Sequence, residues 1–267
     1  MIAVLLLLIV AGIAIAQAAS DPRQVTLRWL RLGGLIGVGL LAVAGVALWQ
    51  TPIERSVVRD VALVWDAGVV FVPGLCVLVQ LMLVEAGLRR SQRVAAGVAA
   101  VVAVLFAALA YLTLYQPAGL PIAFVIASLV LTPLFSAALM GGSLMTMLLG
   151  HAYLTAGSEM TQRPFHRLVA LVAVALILRT VASIVFGVLP YLGAEDTGRP
   201  SVWLMTMIAA RYAVGVVTPA VLLYMTWDCV RRRSNQSATG ILYVLTLLLM
   251  LGEGIALGLI DGRGWVF

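Results

Sequence analysis

Three ionisable side chains interrupt long apolar segments of this sequence: Arg179, Arg211 and Glu253. They stand about thirteen, nine and thirteen residues into three consecutive segments. If these segments cross a membrane in alternating directions, all three side chains fall near the middle of the bilayer, at similar depth. A charge at that depth is costly unless it is paired or hydrated, so each of the three is a candidate functional residue.

Two cations and one anion leave three interpretations open. In the first, one arginine pairs with Glu253 and the other binds backbone carbonyls or a phospholipid, which makes a structural ion pair. In the second, the surplus positive charge binds an anionic ligand, such as a haem propionate, a lipid phosphate or a small carboxylate. The planar guanidinium suits these groups because it binds them through two parallel hydrogen bonds. In the third, Glu253 transfers protons.

The two histidines of the chain are predicted to lie near the same membrane face. His151 is toward the end of one apolar segment, and His166 begins the next. Imidazole in such a place ligates haem iron, hydrogen-bonds a quinone carbonyl or relays a proton; alternatively, both rings bond water or backbone at the interface. Because Gly150 permits close approach and Tyr153 supplies a second polar group, His151 is the better candidate. We therefore take His151, Tyr153 and His166 as candidate ligand-binding residues, and His151 as a metal ligand for haem iron only.

Several classes of enzyme are excluded by the residues that the sequence lacks. There is no lysine, so a retinal Schiff base cannot form. There is also no HExxH, P-loop or Asp-rich prenyl-diphosphate motif. The two cysteines, Cys76 and Cys229, are too few for a disulfide framework or a CxxC metal site, and we interpret them as packing residues. The chain is therefore not expected to be catalytic alone, although it fits a subunit of an oxidoreductase.

The elements that position these residues are predicted to be transmembrane helices. Of 267 residues, 63% are hydrophobic and 10% charged, and the mean hydropathy is +1.11. A soluble domain is about a quarter charged, so we predict an all-α integral membrane protein with one polytopic domain over residues 1–267. A spanning helix needs about 20 apolar residues. The segments that meet this requirement are 2–19, 30–49, 61–88, 94–115, 120–154, 166–190, 202–228 and 240–260.

The arginine distribution predicts the orientation. One alternate set of connections contains eleven arginines: Arg23, Arg28, Arg31, Arg89, Arg90, Arg93, Arg163, Arg167, Arg231, Arg232 and Arg233. The other set contains four: Arg55, Arg59, Arg199 and Arg263. Because basic residues favour the cytoplasmic side, the first set is predicted to be cytoplasmic and both termini external. The pI near 9.9 reflects this topology, so nucleic acid is not an expected partner. The composition favours a bacterial protein of the inner membrane.

Segment 120–154 has two interpretations. A helix of 35 residues is about 52 Å long, against a hydrocarbon core of about 30 Å. Pro121, Pro133 and Gly141-Gly142 lie within the segment. It is either one long or broken helix or two spans, and two spans would place Arg231–Arg233 outside. The positive-inside rule disfavours that result, so we predict eight spans.

Local spacing predicts two further kinds of contact. Glu85 lies four residues before Arg89, which predicts an ion pair along one helix. Gly33-xxx-Gly37 and Gly254-xxx-Gly258 are typical of close contact between helices.

The chain also contains a weak internal sequence repeat. Glu85 and Asp228 each precede a basic and polar run, and each follows the third span of a four-span group. This pattern favours two four-helix halves, with the alternative that such helix ends are simply common at this membrane face. Eight spans in two halves resemble the quinol-handling membrane subunits of polysulfide-reductase type in topology alone. No motif matches them, so no site residue is carried over.

Three functional hypotheses follow. The first is a membrane subunit of a larger bacterial electron-transfer complex that contacts quinone or haem b. The second is a small secondary transporter in which Arg179, Arg211 and Glu253 form a midplane site for an anion or proton. The third is a structural scaffold without a ligand. The expected partners are the lipid bilayer and, under the first hypothesis, other membrane or peripheral subunits.

Overall fold

The computed structural model describes residues 1–50, 59–114, 120–156, 161–193 and 201–263. For residues 50, 59–67, 113–114, 156, 193 and 261–263 it describes the backbone alone. Arg55 and Arg199, which were used to predict orientation, lie outside the described residues, as do the side chains of Arg59 and Arg263.

Every regular element in the described residues is helical. The α-helices are α1 (Ile2–Ala19), α2 (Leu27–Gln50), α3 (Arg59–Glu85), α4 (Arg89–Leu114), α5 (Ile122–Ala156), α6 (Arg163–Ser183), α7 (Leu189–Gly193), α8 (Val202–Tyr212), α9 (Thr218–Arg231) and α10 (Asn235–Arg263). A π-helical segment, π1 (Ile184–Val188), joins α6 to α7, and another, π2 (Ala213–Val217), joins α8 to α9. When the α-helices joined by π1 and by π2 are each counted as one continuous helix, the described residues contain eight helices that are long and apolar enough to cross a membrane. This confirms the predicted number of spanning helices.

The long segment is a single helix. α5 contains 35 residues without interruption, and Pro133 lies inside it. A proline removes one backbone hydrogen bond, and in an apolar helix neighbouring helices compensate for the loss. The alternative of two spans is therefore wrong for this segment.

The two central helices of the bundle are α1 and α5. α1 packs against α2, α4 and α5, whereas α5 packs against α1, α4, α6 and α10. α3 lies between α2 and α4, and α9 lies between α6 and α10. The segment with the highest mean hydropathy, α1, has 61% of its residues buried, as expected for a helix that is apolar on every side.

Backbone contact between α1 and α5 depends on two glycines. A Cβ atom on Gly12 would overlap the carbonyl oxygen of Ala137 and approach the Cα of Gly141. A Cβ on Gly141 would overlap the backbone of Gly12 and Ile13. The two helices therefore cross at a distance that no larger residue permits.

The π segments have a common cause in the sequence. Pro190 lies two residues after the end of π1, and Pro219 lies two residues after the end of π2. A proline ring clashes with the carbonyl four residues earlier, and a wider turn relieves that clash. Accordingly, the N–H of Leu189 donates to the carbonyl of Ile184, five residues back, and the N–H of Thr218 donates to Ala213 in the same way.

The predicted ion pair between Glu85 and Arg89 is corrected by the structure. Glu85 pairs with Arg31 of α2, not with Arg89 of its own chain segment. The reason is that α3 ends at Glu85 and a turn with Gly87 in a left-handed conformation separates it from α4, so the two residues do not share one helix.

Of the two predicted glycine faces, one makes the expected close contacts and the other does not. Gly33 and Gly37 do approach neighbouring side chains, those of Gln17 and Val77. In contrast, Cβ atoms on Gly254 and Gly258 would meet no described atom within 4 Å, so that predicted face is wrong. The close contact of α10 is made instead by Gly252, which lies against Gly215 of π2.

Candidate functional site

The three charged residues predicted near the bilayer midplane meet in one buried cluster. Arg211 Nη2 lies 2.7 Å from Glu253 Oε1, and Arg179 Nε lies 3.2 Å from Glu253 Oε2. All three side chains are at most 1% exposed. We refer to Arg179, Arg211 and Glu253 as the charged triad. The sequence left its role open between a structural ion pair, an anion-binding site and proton transfer by Glu253.

Ser136 of α5 completes the triad's hydrogen bonding. Its hydroxyl donates to Glu253 Oε2 over 2.7 Å and accepts from Arg179 Nε over 2.8 Å. One oxygen of Glu253 is thereby bound by α5 and α6, and the other by α8. The carboxylate ties together three neighbouring helices, so its position is fixed from several directions.

Tyr111 of α4 brings a further polar group to the same region. Its side chain is 1% exposed, and its hydroxyl, which has no hydrogen-bond partner among the described residues, lies near the charged groups of Arg179 and Glu253. Ser183, four residues after Arg179, and Tyr212, next to Arg211 in the chain, have hydroxyls 2.8 Å apart. Hydroxyl groups of this kind are able to hydrogen-bond either charged or neutral partners.

The charge of the site is unbalanced. Two guanidiniums face one carboxylate, and the described residues add no second acid to the cluster. Arg211 is 1% exposed, and its Nε and Nη1 atoms have no hydrogen-bond partner among the described residues. A buried donor without a partner is costly, and more so when it is charged. The site therefore has an unmet requirement for an acceptor, preferably an anionic one.

Two glycines, Gly215 and Gly252, leave the space in which the Arg211 side chain lies. A Cβ atom on Gly215 would overlap Arg211 Nη1, and a Cβ on Gly252 would overlap the Cα of Gly215. Gly215 belongs to π2, so the widened turn, the close contact with α10 and the placement of Arg211 occur at one point. π-helical turns are frequent at functional sites.

A separate hydrophobic cluster lies beyond the triad, toward one end of the bundle. Its buried members are Leu204 of α8 and Leu259 of α10, and Val188, Tyr191, Met207, Ile208 and Ile255 pack against them. Each of these residues lies beyond the triad along its own helix, on the side of the 194–200 connection. We call this group the end cluster. It does not belong to the main core around α1 and α5.

The residues of the predicted histidine site, in contrast, do not form one buried cluster. His151 is exposed on α5, whereas Tyr153 is 3% exposed and its hydroxyl donates to the backbone carbonyl of Thr161. The Tyr153 ring stacks on Phe165, with centroids 5.4 Å apart. His166 is half-buried and lies edge-on to Trp227 of α9, at 5.7 Å. Haem or quinone binding by His151, Tyr153 and His166 stays a prediction.

Gly150 does allow close approach, as its position beside His151 suggested. A Cβ there would lie 2.6 Å from Thr239 Oγ1. The helix that approaches is α10, so in this structure the space beside Gly150 is taken by protein.

An apolar groove runs along the outside of α6 and α9. Its volume is about 270 Å³, and Val169, Leu176, Leu223 and Trp227 are among the residues that line it. No member of the charged triad lines the groove. It therefore gives no lateral access to the buried charges.

Ser136, Tyr111 and Gly215 were not identified from the sequence. Serines in apolar helices usually bond to a carbonyl of the preceding turn, as Ser143 does to Met140. Nothing in the sequence distinguishes Ser136 from such a residue. The one usable signal was Pro219, which marked an irregular turn close to Arg211.

Comparisons with models of known protein families, with curated proteins and with solved structures gave no match.

Proposed function

We propose that the protein is a secondary transporter for a small monovalent anion, with Arg179, Arg211 and Glu253 as its binding site. The observation that carries this proposal is that, among the described residues, two buried guanidiniums share one carboxylate and two nitrogen donors of Arg211 have no hydrogen-bond partner. One monovalent anion would neutralise the cluster and supply the missing acceptor. A purely structural pair would need only one arginine for Glu253.

The helices around the triad support movement of the end cluster. π1 lies five residues after Arg179, and π2 begins two residues after Arg211. Each is a point where the regular helix is already interrupted, and such points absorb bending at low cost. In the proposed mechanism, α7 and the first turns of α8 swing away and open the triad toward the 194–200 connection. The end cluster re-forms when the site closes.

The remaining finer predictions belong to the same proposal. The arginine-rich connections face the cytoplasm of a bacterial cell, and both termini face outward across the inner membrane. The contacts of α1–α4 form a closed ring, and those of α5, α6, α9 and α10 form a second. This pattern supports two four-helix halves joined through α1 and α5, which is the kind of architecture that many transporters use.

Anion flux tests the proposal directly. We expect the purified protein in liposomes to carry at least one of formate, acetate, lactate or chloride with saturable kinetics. Arg211→Met should lower that flux about tenfold or more, because a charge-assisted hydrogen bond contributes roughly 1.5–3 kcal/mol. The measurement is uptake of the labelled anion, with Arg231→Gln at the end of α9 as the charge-matched control.

The proposal fails if folded wild-type protein carries none of these anions. It also fails if Arg211→Met and Arg231→Gln reduce flux equally, because the effect would then come from net charge and not from the triad.

Opening at the end cluster is tested by a reversible crosslink. Leu204 and Leu259 are the two buried members of this cluster, 4% and 1% exposed. We expect Leu204→Cys/Leu259→Cys, made in a background with Cys76→Ser and Cys229→Ser, to lose anion flux on oxidation and regain it on reduction. Each single cysteine variant serves as the control. Full flux through the quantitatively oxidised protein would show that the end cluster does not open.

The electron-transfer hypothesis makes a different prediction for the same preparation. A haem-bearing subunit would show a sharp b-type band in a reduced-minus-oxidised spectrum, and His151→Ala would remove it. The transporter proposal requires neither the band nor any effect of His151→Ala on anion flux.

A further inference from the structure

A second pocket, distant in sequence from the charged triad, lies at the end of the bundle where α1 and α3 finish. Its volume is about 260 Å³, and it is lined by Asp21, Pro22, Arg23, Arg89, Arg90 and Arg93. Four guanidiniums and one carboxylate thus share a small space. We call it the arginine pocket.

Two of the arginines are held in place by the loop that they face. Arg89 Nη1 donates to the carbonyl of Pro22 over 2.7 Å, and Arg93 Nε donates to the carbonyl of Ala18 over 2.8 Å. These bonds fix both side chains against the end of α1 and leave their remaining donors available. The pocket is therefore built by the fold and is more than a run of basic residues along the chain.

In the described residues, one carboxylate faces the four arginines of the pocket. The ion pairs in the part of the chain that the structure describes involve other arginines: Arg31, Arg179, Arg211 and Arg232. Asp21 is the single acid of the pocket, and its Oδ1 accepts the backbone N–H of Arg23. Four cations crowded together in this way repel one another unless an anion joins them.

The helix that carries three of these arginines adds to the unfavourable charge. α4 begins at Arg89, and its first turn contains no acidic residue. The amino-terminal end of a helix has a partial positive charge, so arginines there are unfavourable and an anion is favourable. A bound anion would offset both the repulsion and the dipole.

We propose that the arginine pocket binds the phosphate of an anionic phospholipid. The choice of a lipid over a free phosphate rests on the surface next to the pocket. Leu88, which directly precedes α4, and Val94 and Val98 within α4 are 52%, 68% and 52% exposed, as is expected where acyl chains cover a helix. Basic pockets between transmembrane helices on the cytoplasmic side bind such headgroups.

The test is binding of dioleoylphosphatidylglycerol, with dioleoylphosphatidylcholine as the neutral comparison. Arg23→Gln/Arg90→Gln is the informative variant, because neither side chain makes a described hydrogen bond to the protein and the fold should persist. Native mass spectrometry should show one tightly retained phosphatidylglycerol on the wild type. Because each arginine near an anionic headgroup contributes about fivefold, the variant should bind it about 30-fold more weakly.

Arg163→Gln/Arg167→Gln is the matched control. It removes two exposed arginines from the first turns of α6, at the same end of the bundle, without touching the pocket. This control should retain phosphatidylglycerol within about twofold of the wild type. Equal loss in both variants, or equal retention of the two lipids by the wild type, would overturn the proposal. So would thermal stabilisation by inorganic phosphate in detergent that phosphatidylglycerol does not reproduce.

Discussion

Replacing Glu253 with Gln is expected to destabilise the protein by about 3–5 kcal/mol, because it leaves two buried guanidiniums without an anion. Glu253 accepts hydrogen bonds from Ser136, Arg179 and Arg211, and it is fully buried. Gln has nearly the same shape, so the loss would come from charge and not from packing. The measurement is unfolding in mixed micelles with a rising fraction of denaturing detergent, monitored by circular dichroism.

The companion variant Arg211→Met should cost clearly less than Glu253→Gln. Removing Arg211 leaves Arg179 and Glu253 as a neutral pair, which retains its Ser136 hydrogen bonds. It also removes the two donors of Arg211 that have no described partner. Glu253 loses one partner in this variant but keeps Arg179 as its counter-ion, so no buried charge is left uncompensated, whereas Glu253→Gln leaves two. A larger loss of stability in Glu253→Gln than in Arg211→Met would therefore indicate that the triad carries surplus positive charge.

This comparison separates the structural interpretation from the functional one. If Arg211→Met is folded but carries no anion, the second arginine is retained for ligand binding, at some cost to stability. If Arg211→Met is as unstable as Glu253→Gln, Arg211 is an essential part of a structural network. The unbalanced site would then lose its support as a binding site.

Gly141→Ala is the second substitution with a large expected effect, a loss of about 3 kcal/mol or more. The new methyl group would overlap the backbone of α1 at Gly12 and Ile13, and a backbone is unable to move aside as a side chain does. α1 and α5 would have to separate, which loosens the contact between the two central helices. The readout is the midpoint of detergent-induced unfolding, together with the yield of monodisperse protein.

Gly97→Ala and Gly39→Ala are the matched controls. Both glycines lie inside helices, and a Cβ atom at either would meet no described atom within 4 Å. Alanine there should be neutral or stabilise by up to about 1 kcal/mol through helix propensity. A loss at Gly97 comparable to that at Gly141 would mean that glycine is needed for backbone freedom and that the close crossing of α1 and α5 is not the cause.

Much of the fold follows from the amino-acid sequence alone. The number of membrane-crossing helices and their approximate ends were predictable, since a spanning helix needs a sustained apolar run that is visible without knowledge of any partner. The similar depth of Arg179, Arg211 and Glu253 was predictable for the same reason, because depth follows from position along a helix. Asp228 in α9 and Arg232, which directly follows α9, form an i,i+4 ion pair, so their spacing along the chain accounts for the contact.

Contacts between distant segments were decided by the tertiary structure. Glu85 binds Arg31 and not its neighbour Arg89, because the rotation of α2 and α3 about their axes determines which side chains meet. The same reason explains why Gly252 and not Gly254 packs closely, and why Ser136 reaches the charged triad. Hydropathy gives a helix its place along the membrane normal, but its rotation and neighbours depend on packing over the whole bundle. That packing brought three buried charges into a single site, in which the described residues give two guanidiniums one carboxylate.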